Sequence, residues 1–445
     1  MSKNKICVFG LGYVGQTLSI ALAETGFEVI GIEKSKHIVN KLNKYKSNIY
    51  EPGINQRIKK IIKNKKFFVK SKFNKNDLCN TYIITVGTPL KKNNVINISM
   101  IKNVAKIIAN VLKDNDLVIL RSTVKLKTTE NIVIPILNKS KKIYNISFCP
   151  ERTIEGKALK ELRFLPQIIG SLDYKSYFLS KKIFERVTPK IIRIKNIITA
   201  EMIKLVDNVQ RDIKFSISNE LAMLCDSFNI SAYEVIKFGK LHYPRTDLYF
   251  PGPVGGPCLE KDTYILSESF IKKKPRLSNM ARSVNKEVQS FSVKMMRHIL
   301  IKNNRNIKDI KKIVICGLAF KGIPETNDVR GTTAIPLIAQ IRKFFRKGKI
   351  YGYDYNVNSK FYKDYNILKC NSLKKVSFKT DLLIFHNNNK KFSKFNLGYI
   401  TKLMNKNSLI YDLWNNFSAR KLSLNNNVLY SSFGDLSNLK FNNVK

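Results

Sequence analysis

A cysteine closes the run Pro251-Gly252-Pro253-Val254-Gly255-Gly256-Pro257-Cys258, and the helical pattern LEKDTYILSESFI follows at once. A rigid, glycine-rich loop here delivers a thiol to a helix N-terminus. That position favours thiolate over thiol, and Lys261 adds positive charge. Asp262 is four residues on, hence on the same helical face and placed for proton transfer. Residue types alone fit a covalent nucleophile or a structural thiol. Lys204 and Asn208 form another i,i+4 pair, on a helix whose apolar residues Met202, Leu205, Val206, Val209, Ile213 and Ile217 gather on the other side. They share a polar face, which fits an oxyanion-binding pair or a solvated surface. The segment Pro150-Glu151-Arg152-Thr153-Ile154-Glu155-Gly156 follows the strand NISFC. Two acids at a strand end orient a sugar, a nicotinamide or a water, or belong to a surface turn.

Near the start, the strand KICVFG runs into Gly10-Leu11-Gly12-Tyr13-Val14-Gly15 and then a helix. In that setting GxGxxG is a dinucleotide fingerprint, with the turn open to a pyrophosphate and the helix N-terminus facing it. Glu33 ends the next strand. A carboxylate there accepts hydrogen bonds from a ribose diol and repels a 2′-phosphate, favouring NAD over NADP, although Lys34 and Lys36 follow. Thr85-Val86-Gly87-Thr88-Pro89 and Arg121-Ser122-Thr123-Val124 end two further strands. Ligands of open parallel sheets lie beyond such ends.

The elements that must position these residues show in the hydrophobic patterning. Up to about residue 195, KICVFG, FEVIGIE, TYIITVG, DLVILRS and NISFCP read as strands, with helical stretches such as 14–25 and 99–112 between them. This α/β alternation predicts a doubly wound, mostly parallel sheet. From 199 a stretch of around thirty residues without Gly or Pro predicts one long helix, followed by helices at 231–238, 259–273 and 278–302. Alternation resumes at 311 with KKIVICGLAF, KIYGYD, DLLIFHN and SLIYDLW and a helix at 334–347. The tail after about 418 is Asn- and Ser-rich and reads as less regular. Expected domains are 1–198, a central helical 199–303 and 304–445.

The chain has 445 residues, 44% hydrophobic and 25% charged, an ordinary globular composition long enough for two or three domains. Its formal net charge is +48. The lysines are dispersed rather than clustered, which fits compositional drift better than a nucleic-acid patch. Seven cysteines show no metal-ligand spacing and no even pairing, so neither a metal site nor disulfides are expected. Cys7, Cys149, Cys225 and Cys316 sit in apolar runs and read as core. No apolar run approaches the ~20 residues of a membrane span, and MSKNKICVFG has no signal segment. A cytoplasmic protein, not bound to membrane, is expected.

Together the segments GLGYVG (10–15), TVGTP (85–89), STV (122–124), CPERTIEGKALKEL (149–162), AEMIKLVDN (200–208), GPVGGPCLEKD (252–262) and GLAFKGIPETNDVRG (317–331) resemble the UDP-glucose/GDP-mannose dehydrogenase family. The resemblance implies two Rossmann-like domains joined by a central helical, dimer-forming domain. It implies an NAD-dependent, four-electron oxidation of a UDP-sugar C6 alcohol to the carboxylate, with Cys258 as nucleophile. Lys204, Asn208 and Asp262 align with the polar residues that support it. Glu155 aligns with an acid that contacts NAD and helps activate the hydrolytic water, Thr123 with the nicotinamide-side threonine, and Gly10, Gly12, Tyr13, Val14, Gly15, Glu33, Thr88 and Arg330 with the rest of the NAD site. Glu151, Arg152, Lys204, Asn208, Tyr249, Gly255, Phe320 and Lys321 align with the sugar-nucleotide site.

Two positions depart from the family pattern, Ile169-Gly170-Ser171 for a glycine pair and Lys261-Asp262-Thr263 for Lys-Asp-Pro. The long AFKGIPETNDVRG block and the PERTIEG segment look more like members acting on UDP-N-acetylhexosamines (ManNAc or GlcNAc) than on UDP-glucose, and the resemblance implies a role in surface polysaccharide synthesis. UDP-glucose 6-dehydrogenase is the alternative. A basic nucleic-acid-binding protein or an inactive scaffold is the reading from other classes. A scaffold would be expected to lack Cys258, Lys204 or Asp262.

Overall fold

A computed structural model describes residues 5–74, 76–77, 79–270, 272–417, 423–437 and 439. The chain forms two compact units, Met1–Asn208 with Lys261–Pro275, and Val209–Glu260 with Arg276–Lys445.

The first unit is built on strands β1 (Lys5–Phe9), β2 (Glu28–Ile32), β3 (Phe67–Lys70), β4 (Thr81–Ile84), β5 (Leu117–Leu120), β6 (Asn145–Phe148), β7 (Gln167–Ser171) and β8 (Ile191–Ile194). They lie in the order β3-β2-β1-β4-β5-β6-β7-β8. Pairing is parallel except between β6 and β7. Along β1, Ile6 and Val8 enter one hydrophobic core while Cys7 and Phe9 enter another. Alternate side chains are thus buried on both faces, as a doubly wound sheet requires. The order reverses between β1 and β4, which makes the loop after β1 a ligand-binding crevice. Sequence patterning did not reveal β3, β7 and β8. β3 and β8 are four-residue edge strands, and β8 (IIRI) has no fully buried residue, whereas β7 is buried but its run QIIGS carries Gln, Gly and Ser.

The second unit repeats the scheme with β9 (Lys312–Cys316), β10 (Lys349–Tyr353), β11 (Leu368–Lys369), β12 (Leu382–Phe385), β13 (Leu409–Asp412) and β14 (Leu429–Ser432). Their order, β11-β10-β9-β12-β13-β14, is that of the first six strands of the other sheet. Ile313 and Ile315 face one core, Val314 and Cys316 the other. Strand β14 corrects the expectation of an irregular tail: it pairs in parallel with β13 and its side chains are mostly buried. Part of that tail lies outside the described residues.

The helices Ile197–Phe228, Ala232–Lys240, Gly256–Glu268 and Arg276–Lys302 carry most of the expected functional side chains. The face of Ile197–Phe228 that carries Lys204 and Asn208 is buried, not solvated, whereas Val206 and Ile217 of the apolar stripe are 43% and 46% exposed. The reason is chemical: Asn208 has a buried carboxylate partner, Asp262. Among the described residues no helix is long and apolar enough to cross a membrane.

Candidate active site

In the first unit the loop after β1 is shaped by contacts only glycine permits. Gly15 has no room for a side chain, since a Cβ would stand 1.8 Å from the Gly10 carbonyl oxygen. At Gly12 a Cβ would meet nothing within 4 Å, so the turn keeps open space beside its backbone. The helix beginning at Tyr13 has no side-chain cap, which leaves its first N–H groups to an anion. Glu33 turns back onto this loop. Its Oε2 accepts from Leu11 N and its Oε1 from Ser35 N, both at 2.9 Å. These features fit a dinucleotide: backbone donors for the pyrophosphate and an oriented carboxylate for the ribose diol.

Beside this loop Thr88 is buried and donates to the Thr123 carbonyl at 2.7 Å. The Lys261 ammonium lies 3.4 Å from the Thr88 hydroxyl and 3.2 Å from the Asp262 carboxylate. Asn208 Nδ2 donates to the other Asp262 oxygen at 2.6 Å. Lys204, one turn earlier, is buried as well, and among the described residues its ammonium makes no hydrogen bond or ion pair. A buried cation without a carboxylate partner is suited to receive a developing oxyanion. Five expected residues therefore meet in one chain of contacts: Thr123, Thr88, Lys261, Asp262 and Asn208.

The turn after β6 is held from two sides. The Glu151 Oε2 accepts from Arg121 Nη2 at 2.6 Å and from Nε at 3.2 Å. Its Oε1 accepts from the backbone N–H groups of Arg152 and Thr153, each at 2.8 Å. Burial alone would raise this carboxyl, but the Arg121 guanidinium and the Thr153 donors hold it below the usual range. Glu151, expected at the sugar nucleotide, thus has internal partners on both oxygens. Arg152 Nη2 donates to the Pro166 carbonyl at 2.7 Å. On the other side stands a residue the sequence did not single out, Glu51. Its Oε1 accepts from Gly156 N at 2.6 Å and Ala158 N at 3.1 Å, and also from the Tyr13 hydroxyl. Half-buried Glu155 sits on the turn between these anchors. A lone acid in NIYEPGI gave no signal for Glu51, whereas Arg121 stood at a strand end in plain view.

In the second unit Cys258 is the third residue of the helix Gly256–Glu268; it is exposed and not disulfide-bonded. The loop before it lies flat against the block that follows β9. Gly256 N donates to the Gly331 carbonyl at 2.7 Å. A Cβ on Gly255 would come within 2.3 Å of that oxygen, and one on Gly256 within 2.4 Å of the Phe320 ring. Phe320 N donates to the Asp328 carbonyl at 3.0 Å, and the Lys321 ammonium lies 5.3 Å from the Phe320 ring centre. Arg330 is exposed and ion-paired to Asp328. Cys258, Gly255, Phe320, Lys321 and Arg330 are thus gathered on two touching loops. Tyr249 is packed on Phe215, with ring centres 4.8 Å apart.

Two further residues shape this half. Asp354, at the end of β10, accepts from Leu318 N at 2.7 Å and Ala319 N at 3.2 Å, the counterpart of Glu33 and Leu11 in the first unit. Its signal was present, since KIYGYD ends as FEVIGIE does. Trp414, the only tryptophan, packs so closely on Gly252 that a Cβ there would lie 2.6 Å from its ring. Among the described residues no cluster of His, Cys, Asp and Glu has the makings of a metal site.

Residues 4–188 match the NAD binding domain of the UDP-glucose/GDP-mannose dehydrogenase family, 198–287 its central domain and 314–419 its UDP binding domain. The chain belongs to this family and is an NAD-dependent nucleotide-sugar dehydrogenase. The UDP-N-acetyl-D-mannosamine dehydrogenase of Methanococcus vannielii is 32% identical over 421 residues, 93% of each chain. The enzyme of that name from Pyrococcus horikoshii is 32% identical over 353 residues, 78% of this chain and 83% of its own. A solved structure of the UDP-D-ManNAc dehydrogenase from Pyrococcus horikoshii superposes with a TM-score of 0.86 at 29% identity, covering 97% of this chain and all of the other. The UDP-N-acetyl-mannosamine dehydrogenase Cap5O of Staphylococcus aureus gives 0.84 at 26% identity, covering 98% and 99%. The family, fold class and NAD cofactor expected from the sequence are the ones found.

Proposed function

We propose that the chain oxidises the C6 hydroxymethyl of a UDP-N-acetylhexosamine, UDP-N-acetylmannosamine first, to the carboxylate, supplying a uronate for surface polysaccharide. The observation that carries this is similarity along 93% of the chain to enzymes named for that substrate. The long AFKGIPETNDVRG block points the same way. One alcohol, two NAD+ and one water give one carboxylate, two NADH and three protons. Bound NAD+ accepts the hydride removed from C6 at each oxidation. Gly10, Gly12, Val14 and Gly15 receive its pyrophosphate, Glu33 its adenosine ribose, and Thr88, Thr123 and Arg330 complete its site. Tyr13 fixes the turn that carries Glu155.

Cys258 adds as thiolate to the aldehyde carbon left by the first oxidation, forming a C–S bond and a thiohemiacetal. The second oxidation leaves a thioester on Cys258. Water then displaces the sulfur, releasing the carboxylate and the thiol. Lys204 and Asn208 steady the oxyanion at C6. Asp262 orients Lys261 and Asn208, and Asp262 and Glu155 are the two candidate carboxylates to take the water's proton. Phe320, Lys321, Gly255, Tyr249 and Arg152 hold the nucleotide and sugar, while Glu151 keeps Arg121 and its turn in place.

We assign residues 1–198 to NAD, 199–303 to dimerisation and 304–445 to the UDP-sugar. The dimer reading is supported by apolar side chains left in water on the central helices, among them Leu224, Phe228 and Phe238, 57%, 76% and 55% exposed. Sedimentation of Phe228→Glu should show a shift toward monomer. Seven cysteines, none disulfide-bonded, suit the reducing cytoplasm.

NADH formation across UDP-glucose, UDP-GlcNAc, UDP-ManNAc and UDP-galactose tests the reading. The expected result is two NADH per UDP-N-acetylhexosamine, with UDP-ManNAc used best. Turnover on UDP-glucose alone would transfer the assignment to UDP-glucose 6-dehydrogenase. Cys258→Ser should lose turnover by orders of magnitude and still bind NAD.

A further inference from the structure

Behind the cysteine loop, inside the second unit, lies a polar cluster that the chemistry above does not use. The guanidinium of Arg282 and the carboxylate of Asp212 are each 1% exposed and form an ion pair at 2.9 Å. Asp212 stands on the helix Ile197–Phe228 and Arg282 on Arg276–Lys302. The same guanidinium donates to the Val254 carbonyl at 3.2 Å and to the Leu259 carbonyl at 3.4 Å. Those two carbonyls bracket Cys258. Asn285, fully buried, donates to Asp212 Oδ1 at 2.8 Å and accepts from Asn219 at 2.8 Å. Asn219 in turn accepts from Gly252 N at 2.8 Å.

A buried ion pair is poor evidence of stability, because well-packed apolar residues of the same volume commonly do as well. What the fork of an arginine supplies is geometry: planar donors directed at more than one acceptor. The segment it grips needs such support. Two adjacent glycines and three prolines in 251–257 leave few backbone hydrogen bonds within the loop, and glycine has much backbone freedom to lose. We infer that Arg282, held by Asp212, is a positioning residue for the reaction. It fixes the backbone on both sides of Cys258, so that the thiol captures the aldehyde before it escapes. This rests on the reading of Cys258 as nucleophile.

The test is the double variant Arg282→Met/Asp212→Leu, which removes both charges and keeps the volume, beside Arg282→Lys, which keeps the ion pair and loses the fork. Without cofactor or sugar, amide hydrogen exchange at 252–260 should accelerate at least about tenfold while the strands of the same unit stay protected. In turnover, KM values should hold within about twofold while kcat falls by about 100-fold, the scale of a 1 Å misplacement. The ratio of NADH to sugar should drop from two toward one, because the aldehyde departs after a single hydride has been removed. A hydrazide reagent then traps it.

A folded variant with unchanged loop exchange, wild-type kcat and two NADH per sugar would overturn the inference. Cys258→Ala separates the two ideas. If it still gives two NADH at the parent rate, the nucleophile reading fails. If it stops at one while both Arg282 variants stay at two, only the positioning role fails.

Discussion

Asn208 donates a 2.6 Å hydrogen bond to the Asp262 carboxylate, joining helices whose residues stand 54 positions apart. Asp262 is 1% exposed, and Lys261 reaches its other oxygen. Its charge is therefore fixed in direction by one amide and one ammonium. Asp262→Asn keeps the shape and removes the charge. We expect kcat to fall by about 10²–10⁴, the range of general acid–base contributions. The dissociation constant for NAD+, read by fluorescence quenching, should not change. A variant with parent-like kcat would remove Asp262 from the chemistry.

Cofactor choice should follow Glu33. Both its oxygens are committed to backbone donors, so the carboxylate cannot swing away from a 2′-phosphate. Specificity constants should favour NAD+ over NADP+ by at least about tenfold, a free-energy difference of ~1.4 kcal/mol. Glu33→Gln should narrow the gap. A native preference for NADP+ would mean that Lys34 or Lys36 outweighs the acid.

Charge should act locally on the sugar nucleotide. On the proposed function, Lys321 and the amides of the glycine loop hold the diphosphate by charge-assisted contacts. Lys321→Ala should raise KM for the UDP-sugar about tenfold or more and leave that for NAD+ within about twofold. Moderate salt should have little effect by comparison, because exposed charges beyond ~8–10 Å are screened. Loss of binding in salt together with an indifferent Lys321→Ala would make the diffuse +48 field the capture device.

Asp226 should make the fold pH-sensitive. It is 4% exposed, and burial, with Asp435 nearby, pushes its carboxyl up to about 7 despite a hydrogen bond from Gly434 N. The folded value exceeds the unfolded one of ~3.9, so its contribution is present at low pH and is lost as pH rises through 7. Asn mimics the neutral form. Asp226→Asn should match the parent near pH 4 and exceed its stability by on the order of 2–4 kcal/mol near pH 8. Urea melts of the pair give this difference, in which other titrating groups such as His386 largely cancel. A constant difference across that range would contradict it.

Central strands and long helices were legible because each carries an unbroken period, as KICVFG and TAEMIKLVDNVQ do. The edge strands β3, β8 and β11 were not, because two to four residues at a sheet margin have too few buried positions to show a period, and β7 and β14, though mostly buried, mix Gln, Gly and Ser into their short runs. Among the candidate site residues, the glycines stood out by spacing, whereas type alone left Cys258 open between nucleophile and structural thiol, and the family resemblance supplied the candidate role of Asp262. Glu51 and the Arg282–Asp212 pair did not stand out. Their meaning lies in which backbone groups they reach, and no local pattern encodes that. The burial of Asn208 ran against helical amphipathicity for the same reason, a partner distant in sequence.

The first unit is interrupted in sequence: Lys261–Pro275 belongs to it, although residues 209–260 of the other unit are made first. At roughly 5–20 residues per second, a ribosome needs about 3–13 s to travel from Asn208 to Pro275. Throughout that interval the nascent amino-terminal sheet lacks the helix bearing Asp262, and Asn208 has no carboxylate to meet. Chaperones therefore have a defined time window in which to shield it. Ending the gene at codon 208 would make that unfinished state permanent, so a stand-alone version of this unit must splice the later segment back on.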